Sequence, residues 1–448
     1  MKVSIIGTGY VGLVSGVCLA AKGHEVVCVD MDAEKVSRIN AGQPPIYEIG
    51  LEDLLKQHIG RNLFATTDLY QAVSNSDMSL IAVGTPFDGS AIDLRHIHEV
   101  AREIGTVLRD KIAYHVVIVK STVVPGTTED SVLPILEKAS GKRAGLDFGL
   151  GMNPEFLREG EAISDFMEPD RIVLGGIDER TIAAMDDLYN AFPDVDRVRT
   201  DPRTAEMIKY TANSLLATLI SFSNEIGNLC AQVGVDSVEV MEGVHLDKRL
   251  SPILDNGTRI NPALLSYLAA GCGFGGSCFP KDVKALIAYG EDRECSMALL
   301  KSVIHVNEAQ SHKMLALLYK HYPVAKGLRV SILGMAFKPG TDDIRESPSL
   351  PVVQQLINAG AIVTCYDPIA RGETEKYFGD SIIVSDTLEH AIRNADAMLL
   401  MTRWPEFDSL AELVCSLENT PLVIDGRRFL NKPDFSRYEG IGLGVVNS

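Results

Sequence analysis

The chain has 448 residues, of which 46% are hydrophobic, and this predicts two or three domains with full-sized cores. The formal net charge of −18 argues against nucleic acid and anionic membranes as partners, since both require basic surface. The eight cysteines are scattered without CxxC pairs, so we expect no structural metal and a reducing, cytoplasmic compartment. The chain begins with a strand, Lys2–Gly7, and has no apolar run of membrane-spanning length, so we expect neither a signal peptide nor a membrane anchor.

A dinucleotide-binding fingerprint occupies the N-terminal residues. A β-branched strand leads into three glycines and an apolar helix, Leu13–Ala21, and the next strand ends in Asp30. The glycines permit a tight turn and close approach of a pyrophosphate, and Asp30 is expected to bind the adenosine ribose and disfavour NADP. The predicted NAD-binding residues are Gly7, Gly9, Tyr10, Val11, Gly12 and Asp30. Lys35 is either close to the same ribose edge or a solvated helix lysine.

Two further strands of parallel-sheet character end in small hydroxyl residues. One runs from Met78 to Val83 and leads to Thr85, and the other begins at Val116 and leads to Thr122. Because an open α/β sheet binds its ligand at the carboxyl ends of its strands, both threonines are predicted to line the nicotinamide side. The alternative is that each hydroxyl is a local cap.

The segment after Asp147–Gly151 carries two carboxylates. We predict a helix start here, with Glu155 and Glu159 four residues apart on one helical face. The pair is either catalytic or a solvated first helical turn.

A long helical pattern runs from Asp201 to about Val233. A helix of this length is expected to be a spine between domains or a dimer interface. Lys209 and Asn213 are four residues apart, so they share one face of a mostly apolar helix. A functional pair and an ordinary surface pair both remain open.

The most distinctive residue lies in a glycine-rich loop. Four glycines in the segment Gly271–Gly276 precede Cys278, and Pro280, Lys281 and Asp282 follow it. The absent side chains are expected to let backbone N–H groups and a bulky ligand approach the thiol. Pro280 predicts a helix start, and a helix N-terminus favours a thiolate. The alternative is a small buried cysteine.

A second α/β unit opens at Leu328 and repeats the N-terminal order without a GxGxxG turn. Such a unit is predicted to hold the nucleotide part of a substrate. Lys338, Arg345 and Arg403 follow its strands, as an anionic ligand would require, or else pair with nearby acids. The predicted fold is α/β, with two Rossmann-like doubly wound domains joined by a long central helix and a helical middle region. The boundaries are 1–200 for the NAD-binding domain, 201–323 for the central helical domain and 324–448 for the C-terminal domain.

An NAD domain combined with a glycine-cradled cysteine narrows the chemistry. Oxidation of an alcohol to a ketone needs a base and a hydride acceptor but no thiol. A thiolate becomes useful when an aldehyde is oxidised further, because its adduct loses hydride to give a thioester that water can hydrolyse. The residues therefore favour oxidation of an alcohol or aldehyde to an acid.

Seven segments in this order resemble one family. They are Gly7-Thr-Gly-Tyr-Val-Gly12, Val83-Gly-Thr-Pro86, Lys120-Ser-Thr122, Asn153-Pro-Glu-Phe-Leu-Arg-Glu159, Glu206-x-x-Lys209-x-x-x-Asn213, Phe274-Gly-Gly-Ser-Cys-Phe-Pro-Lys-Asp282 and Phe337-Lys-Pro-Gly-Thr-Asp-Asp-x-Arg345. Together they look like the UDP-glucose/GDP-mannose dehydrogenase family, and the likeness covers essentially the whole chain. It implies oxidation of a sugar 6-hydroxymethyl group to a carboxylate with two NAD molecules.

The resemblance also implies catalytic roles. Cys278 resembles the thiol that forms the thiohemiacetal and thioester, and Lys209 and Asn213 resemble the pair that stabilises the oxyanion. Asp282 resembles the acid associated with an ordered water in the first proton removal. Glu155 resembles the group that handles the hydrolytic water. In the family, Thr122 lies near this group and Glu159 assists it.

The resemblance further implies binding roles and a homodimer. Arg249 is similar to an arginine that reaches the substrate of the neighbouring subunit, with the two subunits joined through the long helix. Implied substrate contacts are Phe156, Leu157, Arg158, Lys209, Asn213, Arg249, Phe274, Gly275, Phe337, Lys338 and Arg403. Implied additional cofactor contacts are Thr85, Thr122, Glu159, Lys281 and Arg345.

The sugar nucleotide is expected to be UDP-glucose, with GDP-mannose second. The runs Glu168–Gly175 and Thr402–Phe407 look more like UDP-glucose enzymes, and the helix of Lys209 lacks the arginine pattern of the N-acetylated-sugar branch. Two other classes remain as alternatives: a two-electron hydroxyacid dehydrogenase that uses Lys209 as base, and an NAD-binding sensor without turnover.

Overall fold

A computed structural model describes residues 1–444. The chain forms two compact units, the first of residues 1–212 and the second from residue 213 onward. The division falls inside the long helix, so the helical middle region belongs to the same unit as the C-terminal sheet. The three-domain boundaries given above stay a prediction.

The first unit is built on an eight-stranded sheet of order β3-β2-β1-β4-β5-β6-β7-β8. All neighbouring strands are parallel except β6 and β7, which are antiparallel. The core strands are rich in β-branched residues and buried on both faces, as a parallel sheet between two helix layers requires. The strands are β1 (Lys2–Ile6), β2 (Glu25–Val29), β3 (Leu63–Thr66), β4 (Met78–Ile81), β5 (His115–Val119), β6 (Phe148–Met152), β7 (Arg171–Gly176) and β8 (Asp196–Thr200).

The helices of the first unit connect these strands. They are α1 (Tyr10–Ala21), α2 (Ala33–Asn40), α3 (Leu51–His58), α4 (Leu69–Ser74), α5 (Arg95–Asp110), α6 (Leu133–Ser140), α7 (Ala162–Met167) and α8 (Glu179–Leu188), with a π-helical turn at Thr127–Val132. The helix α9 (Pro202–Val233) confirms the predicted long helix. Helix α1 begins three residues earlier than predicted, because Gly9 in extended conformation already caps it.

The expected helix start around Glu155 and Glu159 is wrong. Residues 153–161 have no regular structure, and α7 begins only at Ala162. Both carboxylates are nevertheless buried, so they are not a solvated first turn either. Pro154 accounts for the extended start of this segment, since proline lacks a backbone donor and disfavours helical conformation in the residue before it.

The second unit contains a six-stranded parallel sheet of order β11-β10-β9-β12-β13-β14. This order matches the first six strands of the first sheet, β3-β2-β1-β4-β5-β6, and confirms the predicted second Rossmann-like domain. The strands are β9 (Arg329–Leu333), β10 (Ile362–Tyr366), β11 (Ile383–Val384), β12 (Ala397–Leu400), β13 (Leu422–Asp425) and β14 (Tyr438–Gly440). The helices are α10 (Ser237–His245), α11 (Phe279–Glu291), α12 (Ala298–His321), α13 (Ser349–Asn358), α14 (Arg371–Phe378), α15 (Leu388–Ile392) and α16 (Leu410–Cys415).

Candidate active site

The turn between β1 and α1 has the geometry of a pyrophosphate cradle. Gly7 has φ +100°, and a Cβ at Gly12 would lie 1.9 Å from the Gly7 carbonyl oxygen, so both positions require glycine for the chain's own packing. Gly9 differs, because a Cβ there would meet nothing within 4 Å. The protein itself leaves the space beside Gly9 open at the N-terminus of α1, where a bound phosphate is stabilised.

Asp30 closes this turn at the end of β2. Its carboxylate accepts hydrogen bonds from the Thr8 N–H at 2.9 Å, the Thr8 hydroxyl at 2.5 Å and the Asp32 N–H at 3.0 Å. Burial alone would raise the pKa of Asp30, but these bonds and the charge of Lys35 hold it below its usual value. An ionised, half-buried acid here suits the ribose hydroxyls predicted from the sequence.

Tyr10, in the first turn of α1, makes a hydrogen bond that was not predicted from the sequence. Its hydroxyl donates to Glu48, whose carboxylate also accepts from the Gly160 N–H at 2.6 Å and the Ala162 N–H at 2.9 Å. Glu48 is buried. It therefore fastens the end of the 153–161 segment to the fingerprint helix. Glu48 was not among the predicted site residues, and only its position in an otherwise loop-like run distinguishes it in the sequence.

The two threonines at the strand ends lie together. The Thr85 hydroxyl donates to the Thr122 carbonyl at 2.7 Å, and Ser121 donates to the Val83 carbonyl at 2.7 Å. These bonds join the segments that follow β4 and β5. The Thr85 hydroxyl thus bonds a segment 37 residues away and is not the local cap of the alternative interpretation. Its cofactor contact stays a prediction.

A buried ion pair lies at the carboxyl edge of this sheet. Glu155 Oε1 is 3.0 Å from Lys209 Nζ, and both side chains are 4% exposed. Burial would raise the pKa of Glu155, but Lys209, the Leu157 N–H at 2.6 Å and the charge of Lys120 hold it below its usual value. The pair joins the irregular 153–161 segment to α9. Only the tertiary structure brings these two predicted residues together.

The neighbouring residues of this segment make contacts within the protein. The Phe156 ring lies under the Arg171 guanidinium at 3.9 Å and faces the Lys209 ammonium at 5.5 Å. Arg158 pairs with Asp165 at 2.6 Å and with Glu161. The predicted substrate contacts of Phe156, Leu157 and Arg158 stay predictions.

Glu206 anchors the first turns of α9. Its buried carboxylate accepts from the Gly126 N–H at 2.5 Å, the Thr128 N–H at 2.9 Å and the Thr128 hydroxyl at 2.7 Å. Burial raises its pKa to about 7. Glu206 therefore attaches the first turns of α9, which include Lys209, to the segment that follows Thr122.

In the second unit, Cys278 occupies the N-cap position of α11, so it directly precedes a helix N-terminus as predicted, although its side chain makes no capping hydrogen bond. The glycine-rich loop before it is held by side chains from α9, α12 and the segment after β13. Asn224 accepts from the Gly271 N–H at 2.8 Å, Gln310 donates to the Gly271 carbonyl at 2.7 Å, and Arg427 donates to the Gly273 carbonyl at 3.1 Å. Asn307 bonds both the N–H and the carbonyl of Phe274, at 2.7 and 3.0 Å. The backbone leading to the thiol is thus preorganised.

The glycines next to Cys278 are required by this packing. A Cβ on Gly275 would lie 2.2 Å from the Glu346 carbonyl oxygen, and one on Gly276, at φ +83°, would lie 2.7 Å from the Phe337 ring. The space predicted for an approaching ligand is therefore filled by the chain itself at these two positions. Gly275 and Phe337 build the loop, and Phe274 packs in a small core with Ala217, Val283 and Val303.

Asp282 lies in the first turn of α11. It accepts from the Asn213 amide at 2.7 Å and from Lys281 at 2.6 Å, and it is 1% exposed. The predicted residues Asn213, Lys281 and Asp282 therefore form one cluster in the second unit. Asn213, four residues after Lys209 on α9, is oriented by this bond.

The basic residues predicted to contact the substrate, and Arg345, which is predicted to contact the cofactor, lie mostly on the surface. Arg345 makes a two-point contact with Asp343, at 2.9 and 2.7 Å, and its carbonyl accepts from the Gly276 N–H. Arg403 lies 5.3 Å from the Phe429 ring, and Arg249 pairs with Asp247. Lys338 is half-buried in the same 337–347 segment. Arg345 thus links that segment to the cysteine loop.

Taken together, a dinucleotide turn, a second Rossmann-like sheet and a preorganised cysteine define an NAD-dependent dehydrogenase that also holds a nucleotide. The sequence matches the UDP-glucose/GDP-mannose dehydrogenase family in its NAD binding domain over residues 1–193, its central domain over 203–309 and its UDP binding domain over 331–432. The chain belongs to this family of NAD-dependent nucleotide-sugar dehydrogenases.

Similar proteins span the full length of the chain. A UDP-glucose 6-dehydrogenase (AglM) of Haloferax volcanii is 42% identical, covering 98% of this chain and 100% of the relative. A GDP-mannose 6-dehydrogenase of Pseudomonas putida is 41% identical, with the same coverage. The solved UDP-glucose dehydrogenase of Pyrobaculum islandicum superposes with a TM-score of 0.89 at 39% identity, covering 98% of this chain and 97% of that one.

Among residues 1–444, every helix is too short or too polar to cross a bilayer. The described cysteines, all eight of them, are thiols rather than disulfides.

Proposed function

We propose that this protein oxidises the 6-hydroxymethyl group of UDP-glucose to a carboxylate, in the cytoplasm, through a thiohemiacetal and a thioester on Cys278. The observation that carries the proposal is the placement of Cys278 at the N-cap of α11, behind a loop held by Asn224, Asn307, Gln310 and Arg427. A dehydrogenase that stopped at the ketone or aldehyde would have no use for a fixed thiol.

The fingerprint residues fit NAD. The open space beside Gly9 admits a pyrophosphate, and the ionised Asp30 suits the ribose. Bound NAD supplies the hydride acceptor for each of the two oxidations. Gly7, Gly9 and Gly12 shape the cradle, and Val11, Thr85, Glu159, Lys281 and Arg345 are retained as proposed cofactor contacts.

The protein side chains would divide the remaining chemistry. The Cys278 thiolate adds to the carbonyl carbon of the aldehyde, and the oxygen becomes an oxyanion that Lys209 and Asn213 stabilise by donating hydrogen bonds. Loss of hydride from that carbon leaves the thioester. Water then adds to the thioester carbonyl and the thiol leaves, giving the carboxylate.

Proton handling falls to the carboxylates. Asp282, which accepts from Asn213 and Lys281, suits the first proton removal through a water. Glu155 is ionised beside Lys209 and suits the water that hydrolyses the thioester, with Thr122 nearby. Phe156, Leu157, Arg158, Phe274, Phe337, Lys338 and Arg403 remain proposed contacts to the nucleotide sugar.

The test is the number of NADH formed per sugar consumed. UDP-glucose should yield two NADH per molecule with the wild type, and Cys278→Ser should lose formation of the acid. Cys415→Ser is the matched control, because Cys415 is exposed at the end of α16, and it should keep the ratio of two. One NADH per sugar in both wild type and Cys278→Ser would assign the chain to a two-electron dehydrogenase with a structural cysteine.

GDP-mannose is the second candidate, because relatives with that activity are almost as similar as those that use UDP-glucose. It should be assayed in parallel under the same conditions. Turnover of GDP-mannose but not of UDP-glucose would identify GDP-mannose as the substrate of the same mechanism. NAD binding without turnover of either sugar would favour the sensor interpretation.

We also propose a homodimer through α9. Three large apolar residues of this helix, Leu215, Phe222 and Leu229, are 52 to 58% exposed and recur every seven residues, so they form one stripe. Arg249 is then proposed to reach the partner's substrate. Phe222→Glu should convert the dimer to a monomer in light scattering, whereas Tyr377→Glu, an exposed aromatic on α14, should not. A monomeric wild type would contradict the proposal.

A further inference from the structure

The segment after β5 carries a buried lysine to which the sequence assigned no role. Lys120 is 3% exposed, and its Nζ donates to Asn153 Oδ1 at 2.9 Å. The same oxygen accepts from the Tyr189 hydroxyl at 2.5 Å, and the Asn153 amide donates to the Val173 carbonyl at 2.9 Å. These bonds fix the orientation of Asn153, so its oxygen faces the ammonium of Lys120.

Glu155 lies two residues beyond Asn153 in the same buried segment. Its ion pair with Lys209 is direct, at 3.0 Å, and the charge of Lys120 acts on the same carboxylate. Burial lowers the pKa of Lys120 to about 8, so this lysine is mostly protonated at neutral pH. Lys120 is thus a second buried lysine, besides Lys209, whose charge acts on Glu155.

We propose that Lys120 is a positioning residue that keeps Glu155 electrostatically balanced when Lys209 turns its ammonium toward a substrate oxyanion. The inference rests on the role proposed above for Lys209. A buried carboxylate that loses its cation is strongly destabilised or takes up a proton. Lys120 removes this penalty, so Lys209 is available to the oxyanion while Glu155 stays ionised.

A half-buried lysine in the same unit, Lys111, has a purely structural role. Lys111 donates to the backbone carbonyls of Val73, Ser74 and Ser76, at 3.1, 2.7 and 2.7 Å. These carbonyls precede β4 and lie at the amino edge of the sheet, whereas Lys120 follows β5 at the carboxyl edge. Lys111 therefore serves as the matched control for the loss of an ammonium that is hydrogen-bonded within the protein.

The experiment compares Lys120→Met, Lys120→Arg and Lys111→Met with the wild type. Lys120→Met should lower kcat by at least about tenfold while KM for both substrates stays within about threefold, because the lost effect belongs to the oxyanion-bearing steps. The acid limb of the kcat profile should move to higher pH, since Glu155 loses a cation that lowers its pKa. Lys120→Arg keeps the charge and should restore most of the rate. Lys111→Met should lose stability but keep kcat and the pH profile.

The groups that act on Glu155 from neighbouring elements are Lys209 on α9 and Lys120 after β5, so a second measurement isolates Lys120. Infrared titration of the substrate-free protein can follow the carboxyl band that is absent from Glu155→Gln. In a Lys209→Met background, Glu155 should titrate at higher pH once Lys120→Met is added.

An unchanged Glu155 titration in that pair of variants, or a wild-type pH profile in Lys120→Met, would overturn the inference. Failure of the proposed function has a different signature, because the wild type would then yield one NADH per sugar or oxidise neither sugar. The infrared titration would still decide the role of Lys120 in that case.

Discussion

The two Rossmann-like sheets share strand order but treat the turn after their first strand differently. In both, an acid at the end of the second strand accepts from the backbone or side chain of that turn. Asp30 is half-buried and accepts from Thr8 and Asp32. Asp367, after β10, is 4% exposed and accepts from five donors: the N–H groups of Met335, Ala336, Ile369 and Ala370 and the Trp404 indole. The carboxylate of Asp30 is accessible to a ligand, whereas the carboxylate of Asp367 is buried and hydrogen-bonded within the protein.

The two turns also differ at the position that Gly9 occupies in the first turn. Gly334, after β9, has φ +96°, and a Cβ there would lie 2.5 Å from the Thr402 side chain. Gly9 has an ordinary φ of −70° and open space around it. Gly334 thus serves protein packing, as Gly7 does at φ +100° in the first turn. The difference lies two residues further on, where the first turn has Gly9 beside open space and the second turn has the buried Ala336. Similar local sequence can thus build either a binding site or a structural joint.

The largest effect is expected from the acids. Asp367→Asn should lower the free energy of unfolding by about 3 kcal/mol or more, because an amide cannot accept all five buried donors. Asp30→Asn is the matched variant and should lower the free energy of unfolding by only about 1 kcal/mol, because this half-buried carboxylate accepts fewer bonds. It should weaken NAD binding about tenfold and reduce the preference for NAD over NADP. Titration calorimetry with both dinucleotides measures the second effect, and equal destabilisation by the two substitutions would contradict the comparison.

A smaller effect is expected from the glycines. Gly334→Ala should cost about 1–3 kcal/mol, since it forces a left-handed φ and a clash with Thr402. Gly9→Ala should unfold like the wild type but bind NAD at least about tenfold more weakly, because the new methyl group occupies the pyrophosphate position. Urea unfolding and NAD titration of both variants separate the two roles. Wild-type NAD affinity in Gly9→Ala would remove this residue from the proposed cofactor contacts.

The sequence alone predicted much of the fold because its signals are local. Strand, glycine turn, helix and terminal acid recur at the start of each sheet, and the apolar periodicity of α9 predicted a helix whose bounds the structure confirms. The same local signals predicted Cys278 just before a helix N-terminus, where the structure has it. The helix start predicted at Glu155 and Glu159 was wrong, because Pro154 and contacts with residues distant in the sequence favour an irregular segment.

Tertiary structure alone decided which charged side chains pair. It also decided whether each glycine is required by packing or leaves space for a ligand. Glu155 pairs with Lys209, which lies 54 positions away in the sequence. The charge of Lys120 also acts on Glu155, and the sequence spacing of these residues does not predict either interaction. Glu48 bonds Gly160 across 112 positions. Such contacts depend on which strand ends lie side by side, and periodicity carries no information about that. The sequence determined the elements and the chemistry available, and the strand order determined which of those groups act on one another.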